Sequence, residues 1–267
     1  MRADVYLTEN GYAPSRGRAR LMIESGGVTV DGIAVKKPAQ EISEGVHTVV
    51  VEDPLRYVSR GGLKLEGALD AFGIDPSGWT ALDVGASTGG FTDCLLQRGA
   101  VRVYAVDAGE GQLAQKLCED ARVIAREHLN ARDLTPDDID GARVDLIVMD
   151  VSFISATYIL PRFSALLREG GQAVILVKPQ FEVGKAMLGK GGIVKDPAAH
   201  RYAIERVCEC ARSVGLIPTG LIPSPITGGD GNREFLIRLC AGRADGLSEL
   251  TAQDIRRVAD RKSTERS

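Results

Sequence analysis

The chain is poor in features that mark several common classes of protein. Its 267 residues include five cysteines, Cys94, Cys118, Cys208, Cys210 and Cys240, scattered and odd in number. Such a set argues against a disulfide framework and fits a reducing cytoplasm. The tightest pair, Cys208-Glu209-Cys210, is too close for the usual zinc-binding spacing, so no metal is expected and a helix carrying two thiols is the simpler reading. Long hydrophobic runs are missing as well. The most apolar segments, VDLIVMDV and QAVILVKP, fall far short of the roughly 20 residues needed to cross a bilayer, and charge flanks or interrupts each. Met1-Arg2-Ala3-Asp4 leads into a polar stretch where a signal peptide would have an apolar core, so neither export nor membrane association is expected. Internal repeats and low-complexity segments are absent. Neither sign of charge dominates, the net charge being −3. Binding to nucleic acid would therefore have to rest on a local basic patch.

What is present is enough apolar residue, 44%, and enough charge, 26%, for a sizeable core under a solvated surface. The length suits one large domain and one small one. Residues 1–46 read as the small α+β domain. Leu7, Tyr12, Ala19, Leu21, Met22 and Ile23 supply apolar positions for two short helices, and Pro14-Ser15 opens the second with Ser15 as its N-cap. Val28-Thr29-Val30, Asp31-Gly32 and Ile33-Ala34-Val35 then spell a hairpin. Arg16, Arg18 and Arg20, followed by Lys36 and Lys37, form a basic patch, which taken alone reads more simply as a solvated helix face. Residues 47–59 are the expected linker, with a last strand from Thr48 to Val51, a break at Pro54, and Tyr57-Val58 docking it against the larger domain.

Residues 60–245 change rhythm. TALDVG, RVYAVDAG, RVIARE, RVDLIVMD, QAVILVKP, GLIPTGLI and EFLIRLC are candidate strands. Between them lie helical stretches such as GGFTDCLLQRG, YILPRFSALLREG and HRYAIERVCECARSVG. Regular strand–helix alternation predicts an α/β, Rossmann-like, doubly wound parallel sheet. Residues 246–267 are expected to be a C-terminal helix or tail, fraying from Arg256 to Ser267.

Within LDVGASTGGFTDCLL an apolar strand ends at Asp83, a glycine-rich turn runs from Gly85 through Gly89 and Gly90, and an amphipathic helix begins. Such a turn admits a ligand close to the backbone. Its GxxxGG spacing differs from the GxGxxG of a dinucleotide site, which disfavours a nicotinamide cofactor. About twenty residues on, Asp107 ends the next strand, where a carboxylate can bind ribose hydroxyls. Asp150 and Lys178 end later strands, at the rim where α/β sheets build their sites. From spacing alone they form either a structural ion pair or an acid/base site. Lys64 and Glu234 taken alone read as surface residues.

These motifs carry a resemblance over nearly the whole chain. Residues 2–46, with SRGRARLMIESGGVTVDGIAVKKPAQEI, resemble the RNA-binding domain named after ribosomal protein S-four. Residues 58–240, with YVSRGGLKLEGAL, LDVGASTGGFTD, DLIVMDVSFIS, LVKPQFEVGK and GNREFLI, resemble the ribose methyltransferases of the FtsJ type. Together, in this order, they are similar to the TlyA family, often labelled haemolysin A. The resemblance implies a mostly parallel methyltransferase sheet with an antiparallel last strand. It also implies S-adenosylmethionine bound by Asp83, Gly85, Ser87, Thr88, Gly89, Gly90, Phe91 and Asp107. The catalytic set would be Lys64, Asp150, Lys178 and Glu234, and Arg16, Arg18, Arg20, Lys36 and Lys37 would touch RNA phosphates. The implied reaction is 2′-O-methylation of cytidine in ribosomal RNA of one or both subunits, in the cytoplasm, without metal or membrane, and by a monomer as the default. Leu55-Arg56-Tyr57-Val58 stands where some relatives carry Arg-x-Trp-Val, and the arm before the first helix is short. Lys178 would act either as a base or by orienting the hydroxyl. The competing functions are an RNA-binding protein with a degenerate methyltransferase domain, a small-molecule or protein methyltransferase, and a membrane-active haemolysin.

Overall fold

The computed structural model describes residues 1–24, 26–43, 45, 47–51, 56–228, 231–242 and 246–261, and the chain divides into two compact units, Met1–Ser59 and Arg60–Ser267. Val46, the linker segment 52–55 with Pro54 and Leu55, residue 245 and the tail 262–267 lie outside the described residues.

In the first unit, α1 (Ala3–Glu9) and α2 (Arg16–Glu24) pack through Leu7, Ala19, Met22 and Ile23. Ser15 caps α2 as its position suggests, its Oγ accepting the Arg18 N–H at 3.2 Å. β1 (Val28–Val30) and β2 (Ile33–Ala34) form the hairpin, with Thr29 opposite Ala34 and Val30 opposite Ile33. The turn residues Asp31 and Gly32 are both left-handed (φ 50° and 77°), the geometry that matches strand twist in two-residue hairpins. β3 (Val49–Val51) pairs antiparallel with the other edge of β1.

The second unit holds a seven-stranded sheet made of β4 (Thr80–Val84), β5 (Arg102–Val106), β6 (Val123–Arg126), β7 (Val144–Met149), β8 (Leu167–Val177), β9 (Leu216–Pro223) and β10 (Phe235–Ala241). Their spatial order is β6-β5-β4-β7-β8-β10-β9. Only β10 runs against the rest, pairing antiparallel with both β8 and β9. The expected α/β sheet with an antiparallel last strand is therefore what the chain builds. β9 contains Pro218 and Pro223 and lies at the edge, where a missing N–H leaves no central ladder bond unmade. Helices α3 (Gly61–Phe72), α4 (Gly90–Gln97), α5 (Gln115–Cys118), α6 (Phe163–Leu166), α7 (Pro179–Glu182), α8 (Pro197–Ser213) and α9 (Ala252–Ala259) complete the unit. No helix among the described residues is long and apolar enough to cross a membrane.

Two expectations need correction. YILPRFSALLREG is not one helix: it breaks into 3-10 turns at Ala156–Tyr158 and Leu160–Arg162, then α6, and the strand takes over at Leu167. The reason is pairing. Leu167 lies opposite Val144 and Gln172 opposite Leu146, so 168–171 bulge, and a Cβ on Gly171 would stand 2.9 Å from the Arg168 carbonyl. The run's apolar residues Ile159, Leu160, Phe163 and Leu166 are still fully buried. Nor is the chain frayed over 256–259. Thr251 and Asp254 form a capping box, and Ile255, Val258 and Ala259 of α9 join the main core. Arg233 donates to the carbonyls of Val258 and Ala259, at 2.8 and 2.7 Å, satisfying the helix's last acceptors.

Candidate active site

The strand order reverses between β4 and β7, and ligands of doubly wound sheets bind beyond the carboxyl ends of strands at such a switch point. Here the turn after β4 and the loop after β7 lie side by side, the Asp150 N–H donating to the Val84 carbonyl at 3.1 Å. Gly85 adopts φ 82°, and a Cβ there would meet the Asp150 carbonyl oxygen at 2.8 Å. Only glycine allows the two loops this close.

Above them opens a cavity of about 420 Å³ lined by Gly85, Ser87, Asp107, Asn130, Asp150 and Phe153, among others. Asp107 holds its floor, each carboxylate oxygen accepting one backbone N–H at 2.8 Å, from Ser87 and from Gly109. A carboxylate has about four lone-pair sites, so acceptor capacity is left over toward the cavity, as a ribose diol requires.

The charged residues converge at the same rim. Lys178 follows β8 and Glu234 precedes β10; because β10 is antiparallel, with Phe235 opposite Val177, the start of one strand meets the end of the other. Lys178 Nζ lies 2.6 Å from Asp150 Oδ1 and donates to Ser152 Oγ at 2.7 Å. Lys64, on α3, donates to Glu234 Oε2 at 2.6 Å and stands 3.8 Å from Asp150 Oδ2. Both lysine side chains are only 11% exposed. The cluster balances two cations against two carboxylates, the condition on which buried charge is tolerated. Lys178 spends one of its three donors on Ser152 and meets Asp150, whose Oδ1 has no hydrogen-bond partner, as an ion pair, so donor capacity is left for an incoming oxygen.

All four members of the expected catalytic set thus come together beside the cavity. Of the expected cofactor set, Gly85, Ser87 and Asp107 line it, whereas Asp83, Thr88, Gly89, Gly90 and Phe91 do not. Gly90 and Phe91 begin α4 and are buried, and Gly89 packs against Leu113 and Leu117. Asp83 lies wholly inside the protein, its Oδ2 accepting the Thr92 hydroxyl at 2.7 Å and its Oδ1 without a partner. Burial pushes its pKa up to about 7, the Thr92 hydrogen bond opposing this and the charges of Asp150 and Asp107 adding to it.

Ser152, Phe153 and Asn130 at the cavity were not singled out from the sequence. Phe153 is the clearest of them: it is 91% exposed, with φ 64°. Its place just after the strand-end Asp150 was the available signal.

In the first unit the five basic candidates differ. Arg16 donates to buried Asp4 at 3.2 Å, and Arg18 donates to the Tyr57 carbonyl at 2.7 Å. Arg20, Lys36 and Lys37 are exposed and form no ion pair among the described residues.

The chain is similar to known proteins along most of its length. A family profile described as FtsJ-like methyltransferase matches residues 57–241, and one described as S4 domain matches residues 1–47. The "16S/23S rRNA (cytidine-2'-O)-methyltransferase TlyA" of Mycobacterium tuberculosis is 46% identical over 254 residues, covering 95% of this chain and 94% of that protein. "Hemolysin A" of Brachyspira hyodysenteriae is 41% identical over 240 residues, covering 88% and 98%. A solved structure from Streptococcus thermophilus, also named as a hemolysin, superimposes with a TM-score of 0.77 at 41% identity, covering 97% of this chain and 94% of that one. With the switch-point cavity, the paired lysines and carboxylates, and the S4 domain ahead of them, the chain belongs to the FtsJ-like methyltransferases, in their TlyA branch.

Proposed function

We propose that this chain transfers a methyl group from S-adenosylmethionine to the 2′-hydroxyl of a cytidine in ribosomal RNA, in the cytoplasm. The observation that carries the proposal is the Lys178 amine, paired with Asp150 and hydrogen-bonded to Ser152, two residues that line the cavity, with donor capacity to spare. The activity named for the Mycobacterium tuberculosis relative points the same way. When bound, S-adenosylmethionine supplies an electrophilic methyl group on a sulfonium. Gly85 and Ser87 would carry it on their backbone, with Asp107 accepting from its ribose hydroxyls.

Lys178 donates a free N–H to the target oxygen and aims a lone pair of that oxygen at the methyl group. Such alignment can supply several kcal/mol, up to about 7–11 in ideal cases. Asp150, shared between Lys178 and Lys64, keeps both amines in place, and Glu234 anchors Lys64 from the other side. As the carbon–oxygen bond forms and the methyl–sulfur bond breaks, the hydroxyl proton would pass to water at the cavity mouth. Phe153 offers a ring face at the cavity mouth for the base of a splayed-out nucleotide. Arg20, Lys36 and Lys37 supply phosphate contacts, which fix position and weaken with salt.

The test is labelled methyl transfer to isolated 30S and 50S particles, with mapping of the modified nucleotide. Label on a cytidine ribose is expected. Label on a base or a protein, or on no particle at all, overturns the proposal.

A further inference from the structure

A second cavity in the same unit, about 370 Å³, is not used by the chemistry above. It shares Phe153 and Ile154 with the first and lies between the loop after β7 and helix α7. Arg132 sits on one wall with its guanidinium 4.8 Å above the Tyr158 ring, and it forms no ion pair among the described residues. Arg206 also lines the cavity and donates to the Glu182 carbonyl. Its nearest carboxylate oxygen, Glu182 Oε2, is 3.9 Å away and already accepts the Ser155 hydroxyl at 2.5 Å. The other oxygen of Glu182 accepts the Ala156 N–H at 2.8 Å. The positive charge of Arg206 is therefore only partly compensated. Phe181 presents a ring 5.3 Å from that of Phe153. Guanidinium groups and ring faces are the complements of a phosphate and a base plane. A purely apolar ligand would leave both guanidiniums idle, and an acidic peptide would not use the rings.

We propose that this groove is a subsite for the nucleotide next to the target ribose, its base against Tyr158 and Phe181 and its phosphate between Arg132 and Arg206. The proposal rests on the chain acting on RNA. Glu182 builds the subsite by tying the Ser155–Ala156 turn to α7, two elements that come after different strands.

The test compares full-length wild type with Tyr158→Ala, Tyr158→Phe and the double variant Arg132→Gln/Arg206→Gln. Methyl transfer to ribosomal particles is measured across salt concentrations, and S-adenosylhomocysteine binding by calorimetry. Loss of one stacked base predicts a KM for RNA raised about tenfold in Tyr158→Ala, with recovery in Tyr158→Phe. Loss of the arginines predicts a salt dependence shallower by about one or two phosphate contacts. The Kd for S-adenosylhomocysteine should not move in any of them. An unchanged KM and salt slope overturns the subsite, and so does a loss of S-adenosylhomocysteine affinity matching the loss in KM, which would give the groove to the first cavity. Wild type that methylates no RNA defeats the proposed function itself and the subsite with it; wild type and variants that methylate alike defeat the subsite alone.

Discussion

Asparagine in place of Asp83 should remove a pH dependence from the stability of the protein. In the folded state Asp83 keeps its proton up to a pKa of about 7, whereas its unperturbed value is 3.8. Above 3.8 the unfolded chain has released a proton that the folded chain still holds. Stability therefore falls as pH rises from 3.8 through 7, and the full penalty stands above 7. Between pH 5 and 7 this amounts to about 3 kcal/mol, at about 1.36 kcal/mol per pH unit. For a domain of this size that corresponds to about 5–10 °C in Tm. Thermal unfolding of wild type and Asp83→Asn, run side by side from pH 5 to pH 8, isolates the effect because the other titrating groups cancel. The asparagine can still accept the Thr92 hydroxyl, so its advantage over wild type should be small at pH 5 and grow to the full difference by pH 8. Parallel curves across the whole range would refute the reasoning. Asp150→Asn, which removes one of the charges raising this pKa, should move the inflection to lower pH.

Lys178→Ala and Lys178→Arg, which remove or displace the donor that aligns the hydroxyl, should each lower methyl transfer by about 10²-fold or more while S-adenosylhomocysteine still binds, and near-full activity in both would remove Lys178 from the mechanism. Glu234→Gln leaves Lys64 without its closest counter-charge and should cost about 3–5 kcal/mol in denaturant unfolding. Gly85→Ala combines φ 82° with a Cβ 2.8 Å from the Asp150 carbonyl. It should lose about 1–3 kcal/mol of stability and weaken S-adenosylhomocysteine binding, seen by calorimetry. The triple variant Arg20→Ala/Lys36→Ala/Lys37→Ala should flatten the dependence of RNA affinity on salt by about three phosphate contacts; an unchanged slope would remove these residues from the RNA surface.

Much of the fold was legible because the signals are local. Strand-length apolar runs, the Asp31-Gly32 turn, the Ser15 cap and the glycine turn after β4 each depend on a few consecutive residues. YILPRFSALLREG has helix-forming composition, but its last residues bulge between ladder partners on β7, which no local pattern reveals. The docking of α9 is hidden for a related reason. Its mixed charge reads as a tail until Ile255, Val258 and Ala259 meet α8 and β9.

The site divides along the same line. Residue types at strand ends were enough to pick out Asp107, Asp150 and Lys178, since a parallel sheet delivers those ends to one rim. Lys64 and Glu234 are 170 positions apart and carry no signal of pairing; family resemblance pointed to them, and only the antiparallel insertion of β10 beside β8 gives the contact its physical cause. Tertiary packing also decided which turn residues face the cavity. Gly85 and Ser87 do, whereas Gly89, Gly90 and Phe91 are spent on the interior, because a helix that must cover the sheet buries its own first turn, and Asp83 is buried within central β4. The sequence by itself determined the elements and the chemistry available at their ends. Which of those ends share charge, and which acid is left dry enough to hold a proton near neutrality, depended on long-range strand order and burial, and these exist only once the chain is folded.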